Sequence, residues 1–129
     1  MKFKEDSKTV YCKDNSYRRE FDKNSCNYNM QYYKGYLIHR EDGPAIEWVD
    51  GDKEWFKDGK RHRINGPALK FSNGDKYWYL EGKHHREDGP AIEYENGYKR
   101  WYLNGRRYSE EKYLKIMNLK NKKKVLNEI

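Results

Sequence analysis

The chain has 129 residues, enough for one domain spanning 1–129, and a formal net charge of +7. Leu, Ile, Val and Phe supply only 20 residues against 4 Trp, 13 Tyr and 4 Phe. Each aromatic ring can bury ~150–250 Å² and still keep a polar atom in water, so the composition excludes a thick aliphatic core and points to a thin, ring-rich fold. No run approaches the ~20 consecutive apolar residues of a membrane span. The opening Met1-Lys2-Phe3-Lys4-Glu5-Asp6 has no apolar signal region, so a cytoplasmic setting is expected.

Residues 1–31 read as an N-terminal cap. Asn27-Tyr28-Asn29-Met30-Gln31 faintly echo Asp50-Gly51-Asp52-Lys53-Glu54, but the segment lacks the Gly-Pro-Ala found further on. Its two cysteines, Cys12 and Cys26, are too few for a disulfide framework. Reduced thiols are the expectation, and one bridge closing this segment is the alternative.

From residue 32 to 108 the chain repeats. Gly43-Pro44-Ala45, Gly66-Pro67-Ala68 and Gly89-Pro90-Ala91 are each 23 residues apart, as are His39-Arg40, His62-Arg63 and His85-Arg86. Trp55, Trp78 and Trp101 keep the same step, with Tyr32 one period earlier, and the next column is Tyr33, Phe56, Tyr79, Tyr102. All three prolines and nine of the ten glycines sit on this lattice, which makes the period decisive for the fold. Each unit reads as two short strands, an aromatic one such as Lys76-Tyr77-Trp78-Tyr79-Leu80 and a second after the Gly-Pro, such as Ala91-Ile92-Glu93-Tyr94. Asp58-Gly59, Asn73-Gly74 and their equivalents suit tight turns that need positive φ. Proline cannot donate to a ladder and belongs at strand starts.

The pattern stops after Tyr108. Ser109 is placed to cap a helix with Glu110 and Glu111 in its first turn, and Tyr113, Leu114, Ile116, Met117, Val125 and Leu126 give it an apolar stripe. The expected helix runs from about 110 to 126, within a C-terminal segment 109–129, and docks on the last hairpin. The fold class is therefore an all-β repeat. It is a single-layer antiparallel sheet of stacked hairpins, about three repeats plus a degenerate N-terminal one, with a C-terminal helical cap.

A 23-residue hairpin unit with Trp, then Asn-Gly-Lys/Arg, then His resembles the MORN repeat. The resemblance rests on Trp55…Asp58-Gly59-Lys60-Arg61-His62, Trp78…Glu81-Gly82-Lys83-His84-His85 and Trp101…Asn104-Gly105-Arg106-Arg107. It covers residues 32–108. MORN units usually place Gly directly after the His, whereas here Arg40, Arg63 and Arg86 follow it. This is similar to a divergent His-Arg-Glu-Asp-Gly-Pro-Ala group found in phage, large-virus and bacterial proteins. The resemblance implies an elongated scaffold or binding surface, and the phage-type likeness implies a small inhibitor or adaptor aimed at a host or defence protein. Lipid attachment, which some MORN proteins serve, does not carry across that departure.

No metal site is expected from the histidines, because equivalent residues in successive repeats lie roughly 9.6 Å apart at ~4.8 Å per strand. A zinc ion needs every ligand atom within ~2.0–2.3 Å. The expected role of His39, His62 and His85 is to tie loop backbone to the next repeat. The Asp42, Asn65, Asp88 column mixes acid and amide, which fits turn chemistry rather than catalysis. No catalytic motif or phosphate-cradling loop occurs, so neither an enzyme nor a cofactor is expected.

Surface recognition remains. The candidate protein-binding residues are Trp55, Trp78, Trp101, Tyr79 and Tyr102, with Arg63 and Arg86, since aromatics and Arg anchor interfaces. The alternative is nucleic acid, held by Arg40, Arg63, Arg86, Arg106 and Arg107. Residues 32–108 hold 15 basic and 13 acidic side chains, so those arginines can also pair across strands. Membrane-surface attachment through the Lys-rich helix is a weaker reading. A homodimer through an open sheet edge is a further possibility.

Overall fold

Two kinds of glycine turn set the course of the chain. Lys34-Gly35, Asp58-Gly59, Glu81-Gly82 and Asn104-Gly105 each hold two consecutive positive φ angles, 48–50° and then 78–84°, as a two-residue type I′ hairpin requires. At the other turns only Gly51, Gly74 and Gly97 are left-handed. There Gly51 N–H donates to Trp48 O at 3.0 Å and Trp48 N–H to Asp52 O at 2.9 Å, closing a three-residue loop whose bulge falls on the glycine. The preceding Asp or Asn stiffens it, because Asp50, Asn73 and Asn96 each accept a bond from the backbone two residues on.

The structure, a computed structural model, describes residues 1–14 and 32–127. The echo at residues 27–31 and Cys26 lie outside them; Cys12 is a buried thiol whose pKa burial raises. The described residues form a nine-stranded antiparallel sheet and three small two-stranded ladders beside it. Across the large sheet the order is Lys2–Lys4, Lys8–Tyr11, Ile46–Trp48, Lys53–Glu54, Leu69–Lys70, Lys76–Tyr77, Ile92–Glu93, Lys99–Leu103 and Arg106–Tyr108. The small ladders pair Tyr32–Tyr33 with Tyr36–Leu37, Phe56–Lys57 with Lys60–Arg61, and Tyr79–Leu80 with Lys83–His84. The aromatic strand expected to be continuous is thus interrupted at Trp55 and Trp78. Its first half belongs to the long sheet and its second to a small hairpin; only Lys99–Leu103 runs through.

The N-terminal segment contributes more than a cover. Tyr11 N–H donates to Ala45 O at 2.7 Å, as Trp55 does to Ala68 and Trp78 to Ala91. Tyr11, not Tyr32, therefore begins the tryptophan column. Tyr32 is displaced from it because 34 residues separate Tyr11 from Ala45, against 13 between Trp55 and Ala68, and Lys13 N–H bonds directly to Leu37 O. Tyr33 is likewise off-column, its ring 5.6 Å from Phe3.

Three rows of bonds join the repeats. Backbone N–H groups of Asp58, Glu81 and Asn104 donate to Nδ1 of His39, His62 and His85 at 2.9–3.0 Å, so each imidazole holds the next hairpin turn 19 residues on. Asp52 and Asp75 accept from the backbone of Ser72 and Glu95 in the following turn. The third row is the arginines. Arg40 lies over Tyr11 at 3.9 Å, Arg63 over Trp55 at 4.0 Å and Arg86 over Trp78 at 3.9 Å. Each donates Nη1 to the carbonyl of Pro44, Pro67 or Pro90 at 3.1 Å.

That stack explains the glycine of Gly-Pro-Ala. A Cβ on Gly66 or Gly89 would sit 2.8 or 2.9 Å from the guanidinium carbon of Arg63 or Arg86. The Asp42 and Asp88 carboxylates bond locally within the bends that their column suggests in the sequence. They accept from Nε of Arg40 and Arg86 at 2.9 Å and flank the guanidinium.

One more 23-residue step from Arg86 would continue the arginine row, but the residue there is Ser109. It caps the helix Glu110–Asn127 instead, accepting from Lys112 N–H at 3.2 Å. Tyr113 takes the missing arginine's place. It is 2% exposed, lies 4.8 Å from the Trp101 ring, and its hydroxyl donates to Arg86 O. Lys120 pairs with Glu87. The expected apolar stripe docks only in part: Tyr113 and Met117 are buried, Leu114, Val125 and Leu126 are exposed.

Two stability effects follow from this packing. Gly89→Ala should displace Arg86 from Trp78 and lower stability by about 1–2 kcal/mol. In an Arg86→Ala background the same change should cost almost nothing in urea unfolding. Tyr113→Ala should cost about 3–5 kcal/mol by uncovering Trp101, with a red-shifted indole emission, whereas Tyr113→Phe loses only one hydrogen bond, about 1 kcal/mol.

Candidate functional site

Residues directly opposite across strands share a face, so the register divides the molecule into two surfaces. On one, Val10, Cys12, Ile38, Ile46 and Phe56 form the buried core, closed over by Phe3, Tyr33 and Tyr36. That cover ends after the second repeat. Beyond it the same face carries half-exposed rings. His84, paired with Tyr79 across its hairpin, stacks between Tyr79 at 4.2 Å and Tyr102 at 5.0 Å. Tyr77 meets Phe71 edge-on at 5.5 Å and Tyr94 at 6.0 Å. Burial and the neighbouring Tyr94 push the Tyr77 phenol up to about 12.

Cations interleave with these rings. Arg61 lies 5.4 Å from the Phe56 ring and 5.7 Å from that of Tyr79, while Arg100 is 5.6 Å from Tyr94. Arg61 also donates to Glu54 at 2.8 and 3.1 Å, and Trp48 Nε1 donates to the other oxygen of Glu54 at 2.9 Å. Glu54 is 6% exposed. With its two partners it makes a charged alternative to the Phe71–Tyr77–His84 cluster one repeat on. Sequence reasoning missed His84, Arg61 and Glu54 as members of this surface, because the repeat columns they occupy change chemistry at every step.

The sequence-chosen residues divide between the faces. Tyr79 and Tyr102 belong to the open aromatic ladder. Trp55, Trp78 and Trp101 point the other way and lie under Arg63, Arg86 and Tyr113. Arg40 and Arg86 are engaged by Glu47 and Glu93 at 3.2 and 2.9 Å as well as by Asp42 and Asp88. Arg63 has no such pair among the described residues, and burial lowers its pKa. Arg106 and Arg107 are exposed on the edge strand Arg106–Tyr108, with Arg106 5.6 Å from the Tyr108 ring. The opposite edge, Lys2–Lys4, also presents cations, so pairing the two edges would oppose like charges.

A groove of about 790 Å³ runs between the second and third His-Arg loops, lined among others by Ile64, Pro67, Trp78, Leu80 and Glu87. Among the described residues no three His, Cys, Asp or Glu side chains converge as metal ligands, and no helix is long and apolar enough to cross a membrane. No protein-family model, curated protein or solved structure matches the chain.

His84 gives the ladder a pH signature. Its Nδ1 is buried without a hydrogen-bond partner. Burial lowers its pKa, the Trp78 backbone opposes that shift, and Arg61 reinforces it. In the unfolded chain the imidazole takes up its proton near ~6.5, in the fold only at lower pH. The unfolded state therefore binds more protons in that interval, and stability is complete above ~6.5 and lost as pH falls below it. Thermal unfolding followed from pH 7.5 towards acid should show this loss in the wild type, and His84→Phe should flatten the profile.

Proposed function

We propose that the chain is a non-enzymatic recognition module that binds another protein through the open half of its aromatic face. One observation carries the reading: the Tyr79–His84–Tyr102 stack continues the buried core of the first repeats, yet all three rings are only partly buried, with Arg61 beside Tyr79. Tyr and Arg together are the side chains that anchor protein interfaces, rigid and amphipathic, with a polar atom left for the partner. The resemblance to MORN repeats supports a scaffold role for the sheet. A partner would bring an apolar surface across the ladder and acceptor groups for Arg61, Arg100 and Arg107 at its rim.

The experiment is affinity capture from host lysate at about 150 and about 500 mM salt, with and without nuclease, since salt separates ring-anchored from charge-anchored contacts. A protein retained under all four conditions and lost with Tyr79→Ala or Tyr102→Ala, each weakening binding by about 2 kcal/mol, is the expected result. Recovery that disappears with nuclease, or that ignores both substitutions, overturns the reading.

A further inference from the structure

On the face opposite the aromatic ladder, the middle repeat departs from its neighbours at three positions, and every departure removes a carboxylate. Glu41 and Glu87 are matched by Ile64, Asp42 and Asp88 by Asn65, Glu47 and Glu93 by Lys70. The first and third sets surround Arg40 and Arg86; Asp42, Glu47, Asp88 and Glu93 all lie within 3.2 Å of those guanidinium groups. Arg63 keeps the same stack on Trp55 and the same bond to Pro67 O, and Lys70 holds the position from which Glu47 and Glu93 bond Nη1 of its counterparts.

The register then adds to the charge. Lys70 stands directly opposite Lys53 on one side and Lys76 on the other. Three ammonium groups therefore line up across three adjacent strands, roughly 10 Å from first to last at ~4.8 Å per strand. The glutamates that end this row, Glu47 opposite Lys53 and Glu93 opposite Lys76, are already held by Arg40 and Arg86. Lys53 and Lys70 are exposed and Lys76 half-exposed, and none of the three makes an ion pair among the described residues. Like charges placed directly opposite destabilise a sheet, and the two neighbouring repeats show that this scaffold accommodates a glutamate at the central position.

We propose that Arg63, Lys53, Lys70 and Lys76 form a binding site for the phosphodiester backbone of a nucleic acid. The three lysines form a linear row in which, with Arg63, no cation has an ion pair among the described residues, which suits a regular polyanion. Lysine is depleted in protein–protein interfaces, while nucleic-acid interfaces are strongly positive and gain their affinity from counterion release. The Arg63 fork can take two oxygens of one phosphate, and the lysines act as point charges on its neighbours. The site lies on the other side of the sheet from the aromatic ladder, so either assignment can fail without the other.

The test is fluorescence anisotropy of a labelled single-stranded oligo-dT, about 20 nucleotides long so as to outspan the row, titrated with the full chain across a salt series. The wild type should bind with an affinity that falls with salt at a log–log slope of about −2 to −3, the value for three or four neutralised phosphates. Lys70→Glu is the deciding variant, because it gives Arg63 the partner that Arg40 and Arg86 have and divides the lysine row. It should unfold at the same or a higher temperature, yet bind about tenfold more weakly at low salt with a shallower slope. Unchanged binding by Lys70→Glu overturns the site. So does a larger loss from Lys122→Glu with Lys123→Glu on the helix, or equal binding of poly-glutamate, which would assign the row to an acidic protein segment.

Discussion

A guanidinium laid flat over an indole is the interaction on which this molecule depends. In a sheet one layer thick, a ring on either face has only its neighbours to bury it. Arg63 and Arg86 supply the missing layer, covering Trp55 and Trp78 while bonding the Pro67 and Pro90 carbonyls. The rest of the motif follows from that placement. Glycine leaves room for the guanidinium, proline presents an accepting carbonyl at a strand start, and alanine, fully buried in all three copies, lets the strands close up behind. The histidine just before the arginine fastens the loop to the next turn. His-Arg-x-x-Gly-Pro-Ala is therefore one packing unit, and its two ends show the same rule. Tyr11 serves as the first ring, and Tyr113 stands in for the arginine that the last ring lacks.

The two faces divide labour. Positions that repeat without change, the Trp, His, Arg, Gly, Pro and Ala columns, lie on or beside the face that holds the stack together. The other face carries columns that change residue at every step: Glu54, Tyr77 and Arg100 in one row, Arg61, His84 and Arg107 in the next, Trp48, Phe71 and Tyr94 in a third. Each combination is locally satisfied, by a buried ion pair in one repeat and by stacked rings in another. A scaffold that accepts either chemistry leaves these rows free to match something outside the chain, which is the reason to seek recognition there.

Much of this was legible from the spacing alone. The 23-residue period implied the hairpins, their positive-φ turns and the histidine ties, and Ser109-Glu110-Glu111 beyond it implied the capped helix, because each rests on a local requirement for positive φ, a missing N–H or an orphan helix donor. What depends on register was not. An identical aromatic column reads equally well as contact surface and as core, and only the position of Arg63 and Arg86 decides that the tryptophans are covered. Tyr11 was hidden because it stands 34 residues before Ala45, where Trp55 stands 13 before Ala68. The Lys53–Lys70–Lys76 row sets Lys70 between two members of another column, Lys53 and Lys76, and only the strand register places the three side by side.

Where the acids are missing also has a physical logic. In a stack of nearest neighbours, a terminal unit has one interface and an interior unit two. The middle repeat is tied at both sides, His39 holding its turn at Asp58 and its own His62 holding Glu81. The turn that follows Leu69–Lys70 is likewise tied on both sides, Ser72 N–H donating to Asp52 and Asp75 accepting from Glu95 N–H. A strand fixed from both sides tolerates opposed lysines that would splay an edge strand, since separating them would break ties on two neighbours at once. The concentration of uncompensated positive charge at the centre of the sheet is thus placed where the fold resists it best, with its donors held in a row.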